Sequence, residues 1–250
     1  IRNTPIIESG IIGAAMGLAL EGFKPVVEMQ FADFITCGFN QTVNNLAKTH
    51  YRWGENVNVT IRMPYGGGMG AGPFHSQCPE SWFFHVPGLK IVYPSSPIDA
   101  KGLLVSSIED NNPVLFFEHK GLYRSIYTDV SENYFTTEIG KAAVIKEGEK
   151  ITIISYGAPI HWVLECLKNN PTISADVIDL RTLQPLDTET IYASVKKTGK
   201  VVIVQEDSLF GGISSDISAL INEHCFEYLD APVKRVASLE TPIPFEPSLE

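Results

Sequence analysis

The chain is predicted to be an α/β protein of two three-layer α/β/α domains with mainly parallel sheets, and three observations lead there. Runs of strand length take turns with longer runs at helical spacing, the pattern of parallel strands joined by crossover helices. The series lapses once, into polar residues with Tyr and Thr between Ser125 and Gly140, and then starts again. Finally, 250 residues, 44% of them hydrophobic and 19% charged, suffice for two ordinary cores. The predicted division is residues 1–124, a linker over 125–140, and 141–250.

In the first half, Ile11, Ala15, Leu18 and Ala19 share one stripe of a small-residue helix that starts near Glu8 and closes at Gly22. Lys24 to Phe31 reads as a buried strand. Phe39, Val43, Leu46 and Ala47 keep helical spacing and predict a helix over 37–51. Val57 to Met63 and Leu89 to Tyr93 read as strands, Pro97 to Asp110 as a helix, and Val114 to Glu118 as the closing strand. The second half repeats the alternation. Strands are predicted at Ile151–Gly157, Ala175–Leu180, Val201–Val204 and Val233–Val236, with helices over 159–169, 188–197 and 213–229. Gly211-Gly212 stands where a dinucleotide fold would bind phosphate, but without a full G-x-G-x-x-G it reads as the opening of a helix.

Composition excludes several classes. A net charge of −10 argues against nucleic acid and anionic membrane surfaces, since both need clustered Lys and Arg. No apolar run approaches the ~20 residues of a membrane span, and no secretory signal opens the sequence. Cys37, Cys78, Cys166 and Cys225 lie far apart without metal-ligand spacing, which predicts reduced thiols in a cytoplasmic protein. A first residue Ile1 and a Pro-rich end at Glu250 read as the edges of a fragment.

The chemistry concentrates in Gly66-Gly67-Gly68-Met69-Gly70-Ala71-Gly72-Pro73-Phe74-His75-Ser76-Gln77. Five glycines in seven residues free the backbone for positive φ and close approach. They run from a strand into a histidine, whose charge changes near neutral pH. On the residues alone this reads first as an ordinary mobile connection, since glycine clusters mark loops before they mark sites. Glu8, so read, is an acid near a helix N-terminus, worth ~0.3–1 kcal/mol. Phe34 is a core aromatic, Gln30 a strand-end polar residue, and His75 a histidine satisfied by loop backbone. Asp110 and Asn112 read as a helix terminus and turn. A serine nucleophile at Ser76 is not supported, because no G-x-S-x-G elbow and no partnering acid is found.

Five stretches follow one another in a family order: Thr4-Pro5-Ile6-Ile7-Glu8-Ser9-Gly10, Glu28-Met29-Gln30-Phe31-Ala32-Asp33-Phe34, Phe74-His75-Ser76-Gln77-Cys78-Pro79-Glu80, Pro87-Gly88-Leu89-Lys90-Ile91-Val92 and Asp179-Leu180-Arg181-Thr182-Leu183-Gln184-Pro185. Over essentially its whole length the chain resembles the β subunit of the E1 component of 2-oxo acid dehydrogenase complexes. The two halves would then be a pyrimidine-binding, transketolase-like domain and a transketolase C-terminal-like domain. Gln30-Phe31-Ala32-Asp33 and Glu118-His119-Lys120-Gly121-Leu122-Tyr123-Arg124 look like the branched-chain type.

The resemblance implies thiamine diphosphate as cofactor. It makes Glu8 the acid that bonds the aminopyrimidine and drives its imino tautomer. Phe34 becomes the aromatic stacked on that ring, Gln30 a pocket residue, and His75 a catalytic proton donor facing the thiazolium. It also implies a structural potassium ion near Thr60, Asp110 and Asn112. The family's Gly-Asp-Gly motif for diphosphate and Mg²⁺ is absent, so that half of the site is expected from an E1 α subunit or a fused α-like segment. Further expected partners are a second β chain, a lipoyl acyltransferase E2 and a small 2-oxo acid. The leading function is oxidative decarboxylation of a branched-chain 2-oxo acid with acyl transfer to lipoyl-E2. Alternatives are the same chemistry on pyruvate or acetoin, a transketolase or deoxyxylulose-phosphate synthase-like enzyme, and a non-catalytic assembly module.

Overall fold

The computed structural model describes residues 1–250, with ten strands in two five-stranded sheets. Helix α1 (Glu8–Leu20) opens the chain. Gly22, at φ +86°, sets its end: the Gly22 N–H bonds the Ala19 carbonyl and the Phe23 N–H the Leu18 carbonyl, both at 3.0 Å. The helix is apolar on every side, yet only Ile12, Ala15 and Ala19 are buried, and Leu18 and Leu20 stay exposed. Such a helix ordinarily has a second element to cover its bare side.

Strand β1 (Val26–Glu28) is shorter than predicted. In place of one helix over 37–51, the chain winds as a 3₁₀ helix over Ala32–Gly38, a π-helical stretch over Gln41–Leu46, and then α2 (Ala47–Trp53). The reason lies in spacing: Ala32, Ile35 and Gly38 are the buried residues, and a repeat of three suits 3₁₀ winding. Next come β2 (Thr60–Tyr65), α3 (Gly72–His75), α4 (Ser81–Phe84), β3 (Lys90–Val92), α5 (Pro97–Glu109), β4 (Val114–His119) and α6 (Leu122–Ser125). Ser96 caps α5 by accepting the Asp99 N–H at 3.1 Å, with Pro97 in the first turn.

No helix or strand lies between Ser125 and Ala143. Then follow β5 (Ala143–Lys146), β6 (Ile151–Ser155), α7 (Pro159–Asn169), β7 (Ala175–Asp179), β8 (Thr182–Gln184), α8 (Thr188–Thr198), β9 (Val201–Ser208), α9 (Ser214–Cys225) and β10 (Lys234–Ser238). The sheets run β1-β2-β4-β3-β8 and β10-β9-β6-β7-β5. In each, four parallel strands carry one antiparallel edge strand. Strand β4 is buried at every position, as expected of a parallel strand covered on both faces. The edge strands β5 and β8 escaped the sequence reading because three or four residues cannot show a period. Strand β8 departs from the predicted layout: it comes from the second half, and its Thr182 pairs with Val92 in the first sheet.

The core also differs from the two expected. A single cluster of 33 buried residues extends from Ile12 in α1 to Cys225 in α9. Tyr65, Tyr93 and Tyr156 bridge the halves, with ring centroids 5.4 Å apart for the first pair and 5.5 Å for the second. The carboxyl ends of β2, β4, β6 and β9 face one another there, the position where open parallel sheets bind ligands.

Candidate active site

The glycine loop leaves the carboxyl end of β2 with Gly66, Gly68, Gly70 and Gly72 all at positive φ. Two of them are required by packing. A Cβ on Gly66 would overlap the His119 ring, and one on Gly72 would overlap the Phe245 ring. Three loop N–H groups are held by carboxylates of the second half. Gly67 donates to Glu206 at 2.7 Å, and Gly68 and Gly70 donate to the two oxygens of Glu250 at 2.7 and 3.0 Å. His119 also meets Glu206, at 3.2 Å. The second half therefore anchors the loop.

Helix α3 then delivers His75. Its Nδ1 lies 3.0 Å from Asp33 Oδ1 at the start of the 3₁₀ helix. Its ring stacks on Phe31, with centroids 4.0 Å apart and planes at 14°, and Phe34 leans in at 5.6 Å. The Lys120 ammonium sits 3.9 Å from the Phe31 ring centre. Of the predicted site residues, the structure thus brings His75 and Phe34 together. Glu8 meets the other end of the same 3₁₀ helix: Gly38 packs on Ile12 and on the Glu8 carbonyl. The Glu8 carboxyl group is half-buried at the head of α1 and carries no ion pair, while Gln30 is exposed immediately before Phe31. Gln77 donates to the Phe74 carbonyl at 2.9 Å, consistent with a loop-orienting role.

Sequence reasoning gave no role to Phe31, Asp33 or Lys120, although their stretches were read for family type. A second group escaped it entirely. Glu80 is fully buried between the halves, accepts the Tyr156 hydroxyl at 3.1 Å on one oxygen and leaves the other unpartnered. Burial, and after it the Asp207 charge, push its carboxyl up to about 8. The Tyr65 and Tyr93 hydroxyls, also buried and unpartnered, are raised well above the ordinary tyrosine value by the same burial. Burial likewise raises the Cys78 thiol, which keeps it protonated. In sequence, Glu80 is one acid in a polar connection, and nothing local signals its burial.

The expected potassium ligands do not form an open oxygen cage. Asp110 is paired with the Lys90 ammonium and accepts the N–H of Asn112 at 2.8 Å and its amide at 3.1 Å. Only the Thr60 hydroxyl is buried without a partner. The Asp110 carboxylate is thus already engaged by an ammonium. Gly212 packs against Gln205, whose Oε1 accepts the Ser214 N–H at 2.8 Å, so Gly211-Gly212 does open helix α9.

With this geometry in view, comparison with known proteins is informative. Residues 1–125 match the transketolase pyrimidine-binding domain and residues 140–250 the transketolase C-terminal domain. The chain is 49% identical to the mitochondrial 2-oxoisovalerate dehydrogenase subunit beta of Dictyostelium discoideum, over 98% of this chain and 68% of that protein. It is 46% identical to the corresponding Bacillus subtilis subunit, over 100% and 78%, and 46% identical to the B. subtilis pyruvate dehydrogenase E1 component subunit beta, over 98% and 77%. Among solved structures, a split-gene transketolase described as an inactive beta4 tetramer matches with TM-score 0.79 and 25% identity, over 96% of this chain and 75% of that one. The fold, the matched domains and these whole-length relatives place the chain in the family of β subunits of 2-oxo acid dehydrogenase E1 components.

Proposed function

We propose that the chain is the β part of a thiamine-diphosphate-dependent E1 enzyme that decarboxylates a branched-chain 2-oxo acid and passes the acyl group to lipoyl-E2. The observation that carries this is the placement of His75. It stands at the end of an anchored glycine loop, against Phe31 and Phe34 at the start of the 3₁₀ helix whose other end meets the Glu8 end of α1. The family is thiamine-diphosphate dependent, and the residues present suit the pyrimidine half of that cofactor: a carboxyl group free of internal partners, a half-buried aromatic and a histidine. When bound there, the cofactor would supply a nucleophilic carbon for the 2-oxo group and an electron sink for the loss of carbon dioxide.

This chain's residues then have separate tasks. Glu8 shares a proton between its carboxyl oxygen and the pyrimidine ring nitrogen. Phe34 holds the plane of that ring, where aromatic contact adds ~0.5–1.5 kcal/mol beyond burial. Gln30 contributes an amide at the pocket rim. His75 would exchange a proton at its imidazole, a transfer of the kind worth ~10²–10⁴ in rate. The diphosphate and Mg²⁺ half belongs to the α partner, in keeping with the missing Gly-Asp-Gly. The side chains near Thr60 form no open cage for potassium, and no step depends on that ion.

Identities of 49% and 48% to the Dictyostelium and Arabidopsis 2-oxoisovalerate dehydrogenase β subunits, against 46% to both Bacillus subtilis subunits, favour branched substrates over pyruvate by a small margin. We divide the chain at 125–140, supported by the absence of elements between Ser125 and Ala143 and qualified by the return of β8 to the first sheet. No helix is long and apolar enough to cross a membrane. A cytoplasmic place of action is part of the proposal and is supported by the Bacillus relatives, whereas the Dictyostelium and Arabidopsis relatives are mitochondrial by name.

The test is calorimetric titration of thiamine diphosphate with Mg²⁺ into the chain with and without an α partner, followed by a substrate panel. Binding that requires the partner, with 2-oxoisovalerate preferred to pyruvate and activity lost in Glu8→Gln, is the expected result. Tight binding by the chain alone would refute the split site, and preference for pyruvate would refute the branched-chain assignment.

A further inference from the structure

We propose that Asp33, Phe31 and Lys120 are positioning residues for His75, fixing its ring plane and its tautomer so that Nε2 is the nitrogen presented to the reaction. The proposal rests on His75 having the role given above and adds what sets its orientation. Asp33 Oδ1 lies 3.0 Å from Nδ1, and an ionised carboxylate can only accept. The neutral imidazole must therefore carry its hydrogen on Nδ1, leaving the Nε2 lone pair free to take a proton. The Asp33 carboxylate is mostly buried, with 13% of its side chain exposed, so water competes poorly for that bond.

The ring plane is set separately. Phe31 and His75 lie nearly parallel at 4.0 Å, and the Lys120 ammonium is 3.9 Å from the same Phe31 ring centre. Two groups at that height cannot share one face of a phenyl ring. Lys120 therefore lies on the face opposite His75, and the three form a sandwich of ammonium, phenyl and imidazole. The cation attracts the ring quadrupole and so holds Phe31 in place as a backstop. The Lys120 backbone is held in place, because its main-chain N–H bonds the Tyr65 carbonyl at 2.8 Å, at the end of β2 where the glycine loop begins. Loop, backstop and acid thus share one frame, which rotation of the imidazole about its Cβ would break at both contacts.

The experiment uses the assembled E1 enzyme with the β chain labelled by ¹⁵N-histidine, the His75 signals being those lost in His75→Gln. Solid-state nitrogen spectra report which ring nitrogen carries hydrogen, independently of turnover. In the wild type the hydrogen is expected on Nδ1, and in Asp33→Ala on Nε2. Asp33→Ala should lower kcat by roughly 10²-fold, with KM changed by less than about threefold. Asp33→Asn retains a carbonyl acceptor and should recover most of the loss. Lys120→Gln should lower kcat several-fold without moving the hydrogen, and Lys120→Arg should restore it. An unchanged nitrogen pattern in Asp33→Ala, or a loss confined to KM, would overturn the proposal. If the nitrogen signals move as stated while His75→Gln turns over like wild type, Asp33 does orient His75 and the catalytic role of His75 is what fails.

Discussion

Glu80→Gln isolates the most unusual group in the fold. Glu80 precedes α4, is fully buried, and is bonded by the Tyr156 hydroxyl at 3.1 Å on one oxygen only. Its carboxyl, raised to about 8 by burial first and the Asp207 charge second, is neutral in the folded chain at pH 7. The unfolded chain ionises it near the ordinary value of about 4.3. The folded state thus holds the proton more tightly, so stability is full below about pH 4 and is lost as pH rises towards 8. At about 1.4 kcal/mol per pH unit the ceiling is roughly 5 kcal/mol, of which about 3 kcal/mol falls between pH 5.5 and 8. Glutamine keeps the shape and the acceptor for Tyr156, and its amide can donate to the unpartnered Tyr65 or Tyr93 hydroxyl. Urea unfolding of both proteins from pH 5.5 to 8.5 cancels every other titrating group in the difference. The substituted chain should gain on wild type by about 3 kcal/mol across that range. A difference that stays constant with pH would show that Glu80 is ionised in the fold, and the account of the buried group would be wrong.

Three further outcomes are expected. Gly72→Ala places a methyl group against the Phe245 ring at a residue with φ +70°, so it should cost about 1–3 kcal/mol and speed amide hydrogen exchange over residues 66–76. Arg62→Ala removes a fork that holds Glu118 at 3.0 Å on both oxygens and Glu28 at 2.7 Å, leaving a buried carboxylate beside Tyr123; about 2–4 kcal/mol should be lost in urea unfolding, discounted from a deeper pair because Arg62 is partly exposed. Asp176→Asn tests the opposite sign: burial pushes this carboxyl up, but Lys197, Ser194 and the Gly148 N–H together hold it below the ordinary value. Its contribution is therefore present above about pH 4 and lost in acid, and the substitution should lower the thermal midpoint at pH 7 more than at pH 3.

Much of the chain was legible because its signals are local. Gly22 reads as the end of the first helix and makes the expected bonds, and Ser96 and Asp187 prove to be side-chain caps of the same local kind. The apolar run Val114–Phe117 names itself as a parallel strand. What failed was either too short or too distant. Strands β5 and β8 are shorter than any period can report. The winding of 32–46 depends on which residues α1 and β2 bury, and the burial of Glu80 depends on Tyr156, 76 residues away. The candidate site divides in the same way. Glu8, Phe34 and His75 are singled out through motifs, whereas the contact of Asp33 with His75 forms only when a loop 42 residues later folds back onto it.

That division explains why the two halves are not separable modules around a shared linker. The loop that carries His75 belongs to the first half by sequence, yet the N–H groups of Gly67, Gly68 and Gly70 end on Glu206 and Glu250, and Gly72 ends on Phe245. Strand β8 makes the reverse exchange, leaving the second half to finish the first sheet. Each half therefore completes the other, and a shared core runs between them through Tyr65, Tyr93 and Tyr156. A chain cut at 125–140 should lose the loop's anchors and expose these tyrosines. The two pieces mixed together should consequently recover ordered His75 contacts only if β8 and the tail return with the second piece.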